Sequence, residues 1–108
     1  MTTIDNSGNG RQPNVGGDAS FVPPITSPTT LSGRHNDEIC IVAAGVVITC
    51  PVATSLGDDY ETALIAEQAF TLDLPNAADI AVAQNQIVSI VVKNGAVRVI
   101  GPTAAAIG

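Results

Sequence analysis

Two cysteines, one histidine and a short run of carboxylates are the side chains in this 108-residue chain that could hold a metal, pass a proton or attack an electrophile. Cys40 and Cys50 lie symmetrically about Gly45. If the flanking β-branched runs pair as a hairpin centred on that glycine, the two thiols stand opposite each other and a disulfide is geometrically conceivable. The alternative is a pair of small buried thiols, the state a reducing cytoplasm favours. Neither cysteine has neighbours at zinc-ligand spacing. His35 sits in the polar cluster Arg34-His35-Asn36-Asp37-Glu38 with no second histidine to support a metal or a relay. A solvated turn therefore outweighs a catalytic base or pH switch there. Asp58, Asp59 and Glu61 could ligate calcium, but they lack the alternating ligands and central glycine of an EF-hand loop and read as a solvated acidic turn. We expect no catalytic residue, no metal site, no cofactor and no enzymatic activity.

The totals narrow the partners. Net charge is −6, and the four basic residues Arg11, Arg34, Lys93 and Arg98 are scattered, so no patch can neutralise phosphates and nucleic acid is a poor candidate. With Phe21, Phe70 and Tyr60 as the only aromatics, a stacking platform for sugars or single-stranded nucleic acid is equally disfavoured. The longest apolar stretch, 39–53, is interrupted by Gly45, Thr49 and Pro51 and falls short of the roughly 20 residues a spanning helix needs. The N-terminus shows no basic region followed by an apolar one. These features predict a soluble protein made in a cytoplasm, with no membrane partner.

The elements that must position these residues divide the chain in two. Residues 1–37 are rich in Gly, Pro, Ser, Thr and Asn, and such a segment buries too little apolar surface to offset the entropy of ordering. Isolated apolar residues, among them Val15, Phe21, Ile25 and Leu31, recur between stiffening prolines, the pattern expected of an extended arm that grips something else. Within it, Phe21-Val22-Pro23-Pro24-Ile25 is the predicted partner-binding anchor, since bulky groups beside a rigid Pro-Pro lose little further entropy on binding. The competing expectation is that Phe21 folds back on its own domain. Residues 38–108 form the compact part, and a domain that small is marginal unless something adds burial. Lacking a metal or disulfide framework, it is expected to self-associate.

The compact part reads as strands. From Gln86 to Ile100, Asn94-Gly95 between β-branched runs marks a two-residue hairpin turn. That turn sets Val92 against Val97 and Ile90 against Val99, giving with Val88 one wholly apolar face. Ile87, Ser89, Val91, Lys93, Arg98 and Ile100 share the other. Runs 39–42 and 46–49 are expected to pair about Gly45. Over 58–69 a helix capped by Asp58 competes with strands; the alternation in Phe70-Thr71-Leu72-Asp73-Leu74, closed by Pro75, favours strands. The predicted class is all-β, a small barrel or sandwich of short strands with an extended N-terminal arm.

Lys93, beside the hairpin turn, invites comparison with small all-β lipoyl and biotinyl carrier domains, but the lysine of that motif occupies the turn centre. A broader likeness spans about two thirds of the chain. Ala44-Gly45-Val46-Val47-Ile48, then Tyr60-Glu61-Thr62-Ala63-Leu64, then Ala69-Phe70-Thr71-Leu72-Asp73-Leu74-Pro75-Asn76-Ala77, then Ile80-Ala81-Val82-Ala83 and a β run ending in Asn94-Gly95-Ala96-Val97 resembles, in order and spacing, the small β-barrel cement (head decoration) proteins of tailed bacteriophages. The resemblance implies a non-enzymatic virion protein, assembled in the host cytoplasm, that sits on the outer capsid surface as a homo-oligomer, typically a trimer, and braces the major capsid protein. An arm of about 35 residues at ~3.3 Å each reaches on the order of 110 Å, far enough to tie together several coat subunits. A tail or fibre component, or another assembly or adhesion protein, is the alternative of the same general kind.

Overall fold

A computed structural model describes residues 22–106, and they form a two-layer β-sandwich. In chain order the elements are β1 (Thr29–Thr30), a single 3-10 turn (Gly33–His35), β2 (Glu38–Val42), β3 (Val47–Thr49), α1 (Ala53–Leu56), β4 (Glu61–Ala66), β5 (Phe70–Asp73), β6 (Ile80–Val82), β7 (Gln86–Lys93) and β8 (Ala96–Ala104). One sheet has the order β1-β3-β5-β6 and the other β2-β4-β7-β8. The all-β class is as expected, and of the two forms anticipated the sandwich is the one observed. Over 61–73 the alternation of apolar and polar residues wins over helix: β4 and β5 bury every second side chain, and Asp58 caps nothing helical.

The expected hairpin about Gly45 does not form. β2 and β3 lie in different sheets, β2 parallel to β4 and β3 parallel to β5. Ala43-Ala44-Gly45 is the corner at which the chain leaves one layer for the other, and Glu67-Gln68-Ala69 repeats that corner above it. Gly45 sits tightly under the second corner, since a Cβ there would lie 3.4 Å from the Ala69 carbonyl oxygen. The registers run from Glu38↔Thr62 to Val42↔Ala66 in one sheet and from Val47↔Thr71 to Thr49↔Asp73 in the other. Each residue thus pairs with the one 24 positions on (62 − 38 = 73 − 49 = 24). The chain winds as stacked coils, each contributing one strand to each layer, and the sequence carries the repeat: Ile41 and Ile65, Pro51 and Pro75, Ala53 and Ala77 are identical pairs. Buried positions coincide too, at Cys40 and Leu64, Val42 and Ala66, Ile48 and Leu72.

A shorter first coil precedes these two. Ile25 bridges Val42 in parallel, β1 runs parallel to β3, and the Leu31 amide donates to the Thr49 carbonyl at 2.9 Å just as Cys50 donates to Asp73 at 2.8 Å. Ile25 and Leu31 are buried in the same cluster as Leu64, Leu72 and Ile90. The predicted boundary at 37/38 is therefore corrected. Residues 25–37 belong to the sandwich, because two large side chains there find a place in its core and the intervening backbone finds partners on β2, β3 and β4. What precedes Val22 lies outside the described residues.

The β7–β8 hairpin matches its sequence. Val92 faces Val97, Ile90 faces Val99, and the turn places Asn94 at φ 53° and Gly95 at φ 71°, the positive values such a turn requires. Farther along, the pairing shifts between Ile87 and Ser89, where Gly101 at φ 97° lets the backbone of β8 bulge against β7.

Candidate protein-interaction surface

The side chains with reactive chemistry are dispersed and engaged by the fold. Cys40 and Cys50 are free thiols, both buried, with Sγ of Cys40 3.9 Å from Oγ1 of Thr62. The disulfide considered from their spacing is absent because Cys40 lies on β2 in one layer and Cys50 directly follows β3 in the other. Burial pushes both thiols above their ordinary pKa, partly offset at Cys40 by the Thr62 contact. They are core atoms, as the second reading of their spacing held.

His35 is not the solvated turn expected of it. It is buried, and its Nδ1 accepts the Ser32 amide hydrogen at 3.1 Å. The Tyr60 hydroxyl donates to the Ser32 carbonyl at 2.8 Å, so the same residue is held from both sides. Burial is the main cause that lowers the His35 pKa below 6.5. Burial is also the main cause that pushes Tyr60 up to about 12, followed by Cys40 and Cys50. Next in the chain, Asn36 Oδ1 accepts the Glu61 amide hydrogen at 3.0 Å and the Asp37 amide donates to the Glu61 carbonyl at 2.6 Å. Together these contacts moor residues 32–37 to β4.

The acidic turn serves the hairpin. Asp58 Oδ1 accepts the Gly95 amide hydrogen at 3.0 Å, and Asp59 Oδ1 receives the Lys93 ammonium at 2.6 Å, which holds the Asp59 carboxyl below its usual range and raises Lys93. The two carboxylates brace the two ends of one turn. Among the described residues no three His, Cys, Asp or Glu side chains gather as a metal site would require. Of the predicted anchor, Phe21 lies outside the described residues, Val22 packs against the core, Pro23 and Pro24 are exposed, and Ile25 is buried within its own sandwich. Ile25 is therefore corrected from a partner contact to a core residue.

The exposed large apolar side chains are Ile39, Val47, Val52 and Ile100, and the two most exposed of them share one sheet. On the β2-β4-β7-β8 sheet the outward residues form rows across the strands. Ile39, Ala63, Ser89 and Ile100 are one row; Ile41, Ile65, Ile87 and Thr103 are the next. Ile39 is 68% exposed and Ile100 64%, at opposite edges of that sheet. The outer face of the β1-β3-β5-β6 sheet carries Thr30, Thr49 and Asp73 in one row and Val47, Thr71 and Ala81 in another, the composition of a wetted surface. A sheet covered on one side only should alternate apolar with polar. The β2-β4-β7-β8 sheet departs from that alternation in two largely apolar outward rows, while Glu61 and Arg98 occupy the row beside them. Sequence reasoning placed Ile87, Val91 and Ile100 together opposite the core, but missed that Ile39 and Ile41 extend the same face, because it paired β2 with β3.

A separate cleft of about 380 Å³ opens at one end of the sandwich between Val52, Leu74, Pro75 and Val97. Among the described residues no helix is long and apolar enough to cross a membrane. No family model, curated protein or solved structure matches the chain.

Proposed function

We propose that this chain is a virion structural protein, a capsid decoration protein that binds the outer surface of a tailed-phage head, braces the major capsid protein and works as a homo-oligomer without catalysis. The observation that carries the reading is the pair of strongly exposed isoleucines, Ile39 and Ile100, set on a four-stranded sheet whose outer face carries two largely apolar rows. Such a surface suits another protein, not a small substrate. The resemblance of strand order and of the Phe-x-Leu-x-Leu-Pro stretch to capsid cement proteins supplies the class of partner.

In this reading the arm expected from the sequence is supplied by residues 1–21, which precede the described sandwich. At about 3.3 Å each they span up to roughly 70 Å, against a body of 44 × 33 × 23 Å. The test uses undecorated capsids assembled from the cognate coat protein. Full-length chain should bind them and raise the temperature at which they disrupt, whereas the 22–108 fragment should lose most of that protection while keeping its strand content by circular dichroism. Absence of binding by the full chain overturns the capsid reading; equal protection by the fragment removes the role given to residues 1–21.

A further inference from the structure

Asparagine followed by glycine is the dipeptide most prone to lose its side-chain amide, because glycine sets no side chain in the way of the ring that must close. The chain carries that pair at Asn9-Gly10 and at Asn94-Gly95, the second in the turn between β7 and β8. Asn94 and Gly95 are both exposed, and a Cβ built on Gly95 would meet nothing within 4 Å, so water and base reach this turn. The reaction needs the Gly95 nitrogen. It must give up its hydrogen to solvent base and bond to Cγ of Asn94, whose bond to the side-chain nitrogen then breaks as ammonia leaves. Water opens the resulting cyclic imide to aspartate or isoaspartate. Water is the sole co-reactant, and nothing is oxidised or reduced.

We propose that Asn94-Gly95 is a latent deamidation site kept closed by Asp58, whose carboxylate holds the hydrogen of the attacking nitrogen. Asp58 Oδ1 accepts the Gly95 amide hydrogen at 3.0 Å. An amide hydrogen shared with a carboxylate is harder to remove, since the nitrogen anion would be left facing the carboxylate charge. Moving the nitrogen toward Cγ also bends that hydrogen bond, which weakens steeply away from linearity. Asp58 comes from 37 residues upstream and is fixed there by its neighbours. The Asp59 amide donates to the Val92 carbonyl and the Val92 amide to the Tyr60 carbonyl, both at 2.9 Å, while Asp59 receives Lys93. The pairs Lys93↔Ala96 and Val92↔Val97 restrain the loop as a whole. Asp58 holds the one hydrogen whose loss starts the reaction.

Release would change the hairpin. Aspartate at position 94 adds a carboxylate to a turn already flanked by Asp58 and Asp59. Isoaspartate also lengthens the main chain by a methylene, which a two-residue turn at φ 53° and 71° absorbs only by disturbing the pairing beyond it. Gly95, Ala96 and Val97 line the 380 Å³ cleft, so its wall would shift with the turn.

The inference stands apart from capsid binding and is tested on the 108-residue chain alone. After incubation in mildly alkaline buffer, trypsin frees Asn94–Arg98 as one peptide, separate from the peptide 1–11 that carries Asn9. Mass spectrometry and an isoaspartate methylation assay then read conversion at position 94. The intact chain should convert more slowly than a synthetic peptide of residues 90–98. Asp58→Ala should convert roughly tenfold faster than the intact chain, the factor that loss of one hydrogen bond to a charged group carries. Asp58→Asn, which keeps an acceptor oxygen, should fall between the two, and Asp59→Ala, which keeps Asp58, should stay near the intact chain. Amide exchange shows whether the hairpin survives: Asp58→Ala should lose protection at Gly95 and retain it at Val92. Conversion of the intact chain as fast as the peptide, no acceleration in Asp58→Ala, equal acceleration in Asp59→Ala, or acceleration accompanied by loss of protection at Val92 would each overturn the inference.

Discussion

His35 closes the end of the first coil on Ser32, the residue that Tyr60 holds from the other side, through an acceptor that exists only while its ring is neutral. Protonation at Nδ1 would set a donor against the Ser32 amide, and burial already disfavours the charged form. In the folded state the pKa lies below 6.5, so the unfolded chain binds more protons as pH drops through that value. Stability is therefore fully present above about pH 6.5 and declines as pH falls toward and through the folded-state pKa. Urea melts between pH 7.5 and 5 should show that decline, and His35→Gln should flatten it. The partner contact gives a separate readout. Tyr60→Phe removes the hydrogen bond to the Ser32 carbonyl and should cost about 1 kcal/mol by denaturant titration. His35 was misread from sequence because a lone histidine in a run of polar neighbours carries no sign of burial. Its burial follows from the coil that closes over it, a long-range event.

Among the elements, the β7–β8 hairpin was legible because everything that fixes it is local: β-branched runs and the positive-φ pair Asn94-Gly95. β2 and β3 were not. Two apolar runs joined by Ala-Ala-Gly look the same whether the chain folds back within a sheet or turns a corner between sheets. What distinguished the cases was the spacing of Ile41, Pro51 and Ala53 from Ile65, Pro75 and Ala77, a repeat too degenerate to stand out among so many aliphatic residues. Cys40 and Cys50 shared that fate, since their opposition across a ladder depended on the hairpin. The bulge in β8 offers a prediction at this scale. A Cβ at Gly101 would lie 2.9 Å from the Ile87 carbonyl oxygen, at a φ that side chains rarely adopt. Gly101→Ala should therefore cost about 1–3 kcal/mol in a chemical melt.

For the whole molecule, the sandwich takes in residues that composition assigned to the segment before it. Composition made residues 1–37 look uniform, but Ile25 and Leu31 enter the core and the backbone around them completes both layers. A large side chain lost from such a core costs about 2–5 kcal/mol, a large share of the 5–15 kcal/mol that a domain typically has. A fragment of residues 38–108 should thus lose its cooperative thermal transition, whereas the 22–108 fragment should melt as the full chain does. Retention of a sharp transition by the shorter fragment would contradict the role given to the first coil. The apolar rows of the outer face were half legible for a related reason. Their β7 and β8 residues followed from the hairpin, and their β2 residues could be placed only once the layers were known.

The stacking of one corner on another also sets a rule for growth. Because each 24-residue winding hands the chain on at the same place and in the same direction as it received it, a duplicated winding could be spliced in without disturbing either end. The molecule would gain about 4.8 Å of height for each unit added. Its thickness and its two chemically distinct sides would stay as they are, and its length could be tuned like a ruler cut from one repeating pattern.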